Sequence, residues 1–225
     1  EDLKPNRLEA AKDVAAEFIN GRPNDNIGIT LFAGETFTQC PLTVDHAVLL
    51  DMIHNIKCGL IEDGTAVGMG VANAVTRLKD SKAKSKVIIL LTDGTNNKGD
   101  ISPLTAAEIA KSFGIRVYTI GVGTNGMAPY PYPVGNTVQY INMPVEIDEK
   151  TLTQIAGTTD GNYFRATSNS KLKEVYEEID KLEKTKLNVK EYSKREEDYR
   201  WFALAAFLCV LLEVLLRNSI LKKIP

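Results

Sequence analysis

Cysteine and histidine are scarce in this 225-residue chain: three of the first (Cys40, Cys58, Cys209) and two of the second (His46, His54). No Cys-x-x-Cys pair occurs, and with only two histidines no zinc-type cluster can be assembled. Cys40 and Cys58 remain either a disulfide pair, if the compartment oxidises, or two small buried hydrophobes. An excess of positive charge is missing too. Lys and Arg number 27 against 29 Asp and Glu, whereas a general nucleic-acid binder shows a basic surplus. Gly-x-Ser-x-Gly is absent, and with it the nucleophile elbow. The P-loop glycine-lysine signature is absent as well. Gly121–Gly126 does match Gly-x-Gly-x-x-Gly after an apolar run, but Pro129, Pro131 and Pro133 follow. They forbid the helix whose N-terminus would hold a pyrophosphate. At 44% hydrophobic, the chain also falls outside the disordered and collagen-like classes.

What is present divides in two. Residues 1–180 carry a net charge of −6 and residues 181–225 one of +4, which points to an acidic body and a basic tail with different tasks. The chain opens at Glu1 directly into a helix, as expected of a processed or excised piece of something longer. Pro5 and Asn20-Gly21 bracket a helix over Asn6–Asn20. Asn26–Phe32 reads as a buried strand, with Glu35–Gln39 returning beside it. Val44–Ile56 is helical behind Thr43 as N-cap, and Gly64-Thr65 opens another helix to Leu78. Val87–Leu91 (VIILL) is continuously apolar, as a strand covered on both faces must be. Pro103–Phe113 (helix), Arg116–Val122 (strand), Thr151–Ala156 (helix), Asn162–Arg165 (strand) and Leu172–Leu182 (helix) complete the alternation. Gly123–Glu146 is expected to be largely irregular, with a short hairpin over Thr137–Asn142, and Leu187–Tyr192 an extended linker. Strand alternating with helix implies a doubly wound, mostly parallel α/β sheet.

The tail carries a membrane signal. Trp201–Leu212 is twelve residues without a charge, and a helix from Trp201 to Leu221 reaches about 31 Å, enough for a hydrocarbon core of roughly 30 Å. Tyr199 and Trp201 stand where an interfacial aromatic belt would, and Lys222 and Lys223 mark the other side. Glu213 is the costly residue, and Arg217 at i+4 is placed to pair with it. The expected organisation is a domain over 1–182, a charged linker over 183–200, a span over 201–221 and a basic end at 222–225. The Lys and Arg flanking the span do not fix its orientation.

In an open parallel sheet, ligand groups gather at the carboxyl ends of the strands. Asp93 lies just past VIILLT, with Gly94 permitting a sharp exit. Asp63 and Thr65 lie on the loop Glu62–Gly70 (EDGTAVGMG). One carboxylate, one or two hydroxyls and several waters suit a small hard cation. The same residue types also serve as ordinary turn and cap chemistry. Asp93 could alternatively be a catalytic base with Asp63 or Glu62 as its helper. Gly68 and Gly70 fit close helix packing.

The series Arg7–Phe18, NIGITLFAG, PLTVD, GLIEDGTAVGMG, KVIILLTDGTNN and RVYTIGVGT resembles the von Willebrand factor A-type domain over about Glu1–Leu182. The anchored end is similar to bacterial aerotolerance membrane proteins of the BatA and BatB type, BatA being the nearer. The resemblance implies a metal-ion-dependent adhesion site with Thr65 and Asp93 as ligands, Asp63 one layer out, and Mg²⁺ or Mn²⁺ as the ion. The family's Asp-x-Ser-x-Ser segment and first strand have no counterpart in this sequence. Further ligands would come from that segment. The resemblance also implies a non-catalytic module whose ion takes a carboxylate from a protein partner. A MoxR-type AAA ATPase and sister Bat proteins are the implied associates. The implied location is the bacterial inner membrane, with the domain on the periplasmic side.

Overall fold

The computed structural model describes residues 2–124, 126–134, 137–193 and 199–219, with side chains over 2–124, 126–131, 137, 139–184 and 203–216. Two compact units result, residues 1–183 and 184–225.

The first unit begins with helix α1 (Arg7–Asn20), whose N-cap Asn6 accepts a hydrogen bond from the Glu9 N–H at 2.9 Å. Strands β1 (Ile27–Phe32) and β2 (Thr36–Thr43) form an antiparallel pair. Helix α2 (His46–His54) is capped by Asp45, not Thr43. The Thr43 hydroxyl instead accepts the Asp45 N–H at 2.9 Å, so the first cap sets up the second. His46 bonds the Asp25 carbonyl at 2.9 Å. Helix α3 (Val67–Leu78) starts later than the sequence suggested and has no side-chain cap. Strand β3 (Lys86–Thr92) leads to α4 (Pro103–Ser112), with Ser102 as N-cap and proline in the first turn.

Strand β4 (Ile115–Val122) lies parallel to β3, and β7 (Tyr163–Ala166) lies parallel to β4, so the parallel sheet has the order β3-β4-β7. Between them stands helix α5 (Glu149–Thr158). The sheet is covered on both faces, as the apolar runs require. Ile88, Leu90, Ile115 and Val117 face α3, α4 and α5. Tyr118, Ile120 and Val122 pack with Ala10 and Val14 of α1 and with Leu172, Val175 and Ile179 of the last helix, α6 (Asn169–Ser193). A doubly wound parallel core is therefore present, but among the described residues β1-β2 forms a separate sheet. The glycines of α3 give it close packing: a side-chain carbon at Gly68 would stand 2.0 Å from the Ile101 carbonyl oxygen, and one at Gly70 would meet the Phe32 ring at 2.9 Å.

Two expectations need correction. Residues 123–146 are not mainly irregular. Strands β5 (Gly126–Val134) and β6 (Thr137–Val145) pair antiparallel along their whole length, from Gly126↔Val145 to Val134↔Thr137. No charged side chain occurs in either strand. Nor is Leu187–Tyr192 extended, since α6 continues through Ser193. Its Lys and Glu residues are strong helix formers, and nothing in the stretch breaks the helix. Cys40 is buried and Cys58 exposed, and both are free thiols.

At the N-terminal edge of the parallel sheet, Glu183 of α6 is 5% exposed. Its carboxylate accepts the Ser85 hydroxyl at 2.8 Å, the Tyr118 hydroxyl at 2.6 Å and an Arg116 Nη1–H. Burial opposes the charge on Glu183, but these three donors outweigh it and hold the carboxyl below its ordinary range.

In the second unit, helix α7 covers Tyr199–Ser219. Among the described residues no helix is long and apolar enough to cross a membrane. The large apolar residues of α7, from Leu204 to Leu216, are exposed. The side chains of Trp201 and Arg217, the Glu213–Arg217 pair, and residues 222–225 lie outside the described residues.

Candidate functional site

The carboxyl ends of β1, β3 and β4 converge on one rim. The loop carrying Thr65 is pinned to the end of β1, where Gly34 N–H donates to the Glu62 carbonyl at 2.7 Å and Ala66 N–H to the Ala33 carbonyl at 2.7 Å. The stretch after β3 wraps the same residue. Asn97 Oδ1 accepts the Thr65 N–H at 2.8 Å, Asn96 Oδ1 accepts the Val67 N–H at 2.9 Å, and the Thr65 carbonyl accepts the Asn97 N–H at 3.0 Å. Asn96 thus satisfies the first N–H of α3, for which the helix has no side-chain cap of its own, and Asn97 fixes the residue just before the cap.

The sequence paired Thr65 with Asp93, and the structure brings their neighbourhoods together. A side-chain carbon built at Gly94 would lie 3.2 Å from Thr65 Oγ1, so the hydroxyl sits against the residue that follows Asp93. The Asp93 side chain is 59% exposed. Asp63 is exposed on the same loop as Thr65, and its backbone carbonyl lies close to Gly34. Among the described residues no group of three or more His, Cys, Asp or Glu is disposed to hold a metal ion. Thr65 and Asp93 carry hard oxygen donors of the type a small dication selects.

Two residues of this rim were not singled out from the sequence. Arg7 directs Nε and Nη2 at the two oxygens of Asp2, each at 2.7 Å, and Nη1 at Asp93 Oδ2 at 3.1 Å. The Asp2 side chain is only 3% exposed and also accepts the Thr124 N–H at 2.7 Å. Burial works against its charge, but Arg7 and Thr124 prevail and keep the carboxyl far below the usual range. The same pairing raises the Arg7 guanidinium. Gly123, with φ +142°, makes the room: a side-chain carbon there would meet Arg7 Nη2 at 2.9 Å. Arg165 closes the arrangement by donating to the carbonyls of Gly123 (3.0 Å) and Thr124 (2.8 Å). The root of the β5-β6 hairpin is thereby fixed beside Asp93. Arg7 lies 86 positions from Asp93, and no local pattern announces such a contact.

A doubly wound domain with a hydroxyl and a carboxylate at the rim matches the von Willebrand factor type A domain over residues 2–178, and the chain belongs to that family. Within it, the chain is similar to BatB from Bacteroides thetaiotaomicron, at 32% identity over 81% of this chain and 91% of that one, with a TM-score of 0.70. An aerotolerance-related membrane protein from Bacteroides fragilis is 32% identical over 80% and 91% of the two chains, with a TM-score of 0.67. Proximal thread matrix protein 1 of the mussel byssus, in a form whose MIDAS motif is occupied by zinc, is 25% identical over 79% of this chain and 41% of that one, with a TM-score of 0.61. An uncharacterized Borreliella burgdorferi protein is 26% identical over 97% of this chain and 64% of its own length. The chain covers about half (53%) of a UPF0353 protein of Mycolicibacterium paratuberculosis, at 31% identity. The Bat-type resemblance stands, and its named neighbour is BatB.

Proposed function

We propose that the chain is a divalent-cation-dependent protein-binding module of a membrane-held aerotolerance assembly. The observation that carries this reading is the juxtaposition of the Thr65 hydroxyl with the Asp93–Gly94 turn at the carboxyl rim of a von Willebrand factor A-type sheet. Thr65 and Asp93 would hold Mg²⁺ or Mn²⁺, with Asp63 as a further carboxylate on the same loop. The zinc in the motif of the mussel protein supports a cation in this position. An ion held there would supply Lewis acidity toward a carboxylate on a protein partner. A MoxR-type ATPase and sister Bat proteins are the partners that the Bat-type resemblance favours, and within that group the chain itself corresponds to BatA. The exposed apolar residues of α7 and the membrane proteins among the relatives support anchoring at the bacterial inner membrane by residues 201–221, with the domain on the periplasmic face.

Binding is preferred to catalysis because the group that faces Asp93 is Arg7. A guanidinium has no acceptor and cannot serve as a general base. Calorimetric titration of the full chain with Mn²⁺ and Mg²⁺ tests the site. We expect binding that is weakened in Thr65→Ala and Asp93→Ala while both variants keep the wild-type Tm. No heat in the wild type removes the ion. Mg²⁺-dependent hydrolysis of a phosphate ester, lost in Asp93→Ala, establishes the hydrolase instead. Co-flotation of the chain with anionic lipid vesicles, lost on deleting residues 201–219, tests the anchor.

A further inference from the structure

We infer that Arg7, locked in place by Asp2, is the positioning residue that holds one oxygen of Asp93 and leaves the other to meet a cation. The inference rests on the metal-binding reading above and assigns the part of that site which sequence patterns leave blank.

The two carboxylates around Arg7 are unequal. Asp2 is 3% exposed and takes two forked bonds of 2.7 Å from Nε and Nη2. Asp93 is 59% exposed and takes a single bond of 3.1 Å from Nη1. A forked guanidinium–carboxylate pair fixes orientation as well as distance. Asp2 is itself held by the Thr124 N–H and by the Leu3 N–H at 3.1 Å. The guanidinium plane is therefore set from behind, by a buried group, and Arg7 presents only its remaining Nη1 edge to the rim.

That edge engages Oδ2 of Asp93 and leaves Oδ1 without a partner among the described residues. Ligating carboxylates are commonly oriented by an outer hydrogen bond of this kind, and removing such a partner typically lowers metal affinity by about 10–100-fold. Two effects of Arg7 compete: its bond orients Asp93, and its positive charge repels a dication. The geometry favours orientation, because the charge is already matched by the buried Asp2 that it contacts twice. Gly123 belongs to the same device, since a side chain there would push the guanidinium away.

The test is Mn²⁺ affinity measured by calorimetry on the full chain, alongside Tm in EDTA. Arg7→Lys keeps the charge but cannot reproduce the fork together with the third bond. The double variant Asp2→Asn, Arg7→Met removes both charges together, so no buried carboxylate is stranded if Arg7→Lys folds poorly. We expect both to bind Mn²⁺ at least about tenfold more weakly, and the Arg7→Lys effect to vanish in an Asp93→Asn background, where the two sites no longer couple. A merely structural Arg7 would move Tm but not the coupling. Unchanged affinity, or tighter binding in the charge-free double variant, overturns the inference and leaves the metal site standing. A wild type that binds no Mn²⁺ overturns both.

Discussion

Replacing Glu183 with alanine should be among the most damaging single changes in the domain. The side chain is 6% exposed and fastens α6 to the sheet through Ser85, Tyr118 and Arg116. Truncation leaves the Arg116 guanidinium, itself 17% exposed and with no partner for Nε, without its counter-charge. Breaking a buried ion pair from one side costs about 3–5 kcal/mol. In a domain of this size each kcal/mol moves Tm by roughly 2–4 °C, so a fall of about 6–20 °C is expected. Urea titrations followed by circular dichroism, with calorimetry for Tm, measure it. Glu174→Ala is the control: its pairing with Lys171 is exposed on both sides, and Tm should not move. Replacing the network as a whole, with Glu183→Met, Arg116→Met, Tyr118→Phe and Ser85→Ala together, should recover much of the loss, because no member of the network is then stranded. A Glu183→Ala protein within about 0.5 kcal/mol of wild type would refute the reasoning, since that is the range of inconsequential surface changes.

The same network predicts an acid limit. Glu183 and Asp2 both ionise below their ordinary ranges when folded. As pH falls, the unfolded chain therefore takes up these protons first, and stability that is complete above about pH 4.5 drains away as pH passes down through the folded values. Urea midpoints between pH 6 and pH 3 should fall, and fall less in Glu183→Gln; a flat wild-type profile contradicts the assignment. Gly68→Ala should destabilise by about 1–3 kcal/mol despite the better helix propensity, because the new methyl meets backbone at 2.0 Å. Gly157→Ala on α5 meets nothing within 4 Å and should stabilise by about 0.5–1 kcal/mol. Denaturant midpoints of opposite sign for the two variants check the pair.

Much of this fold was legible because its signals are local. The unbroken VIILL run, the Ser102-Pro103 start of α4 and the polar stop at Asn20-Gly21 each act within a few residues. The hairpin was largely missed because prolines at alternate positions argue against a strand by the usual reading. The cap of α2 was misplaced because Thr43 and Asp45 are both good caps, and only the backbone decides between them. Thr65 and Asp93 could be paired from the sequence since each follows a recognisable strand or turn. Arg7, Asp2 and Glu183 could not. Their partners lie far along the chain, and in the sequence they are charges among many.

The prolines that hid the hairpin also shape how it can associate. Pro129, Pro131 and Pro133 alternate along β5, so their nitrogens all address the same side of the strand. β6 pairs along the other side without interruption, which leaves those three hydrogen-less nitrogens on the outer margin. A foreign strand approaching there would meet three alternate positions that can donate no hydrogen bond. The hairpin, which carries no charge in either strand, is thus a poor template for a further strand along that margin.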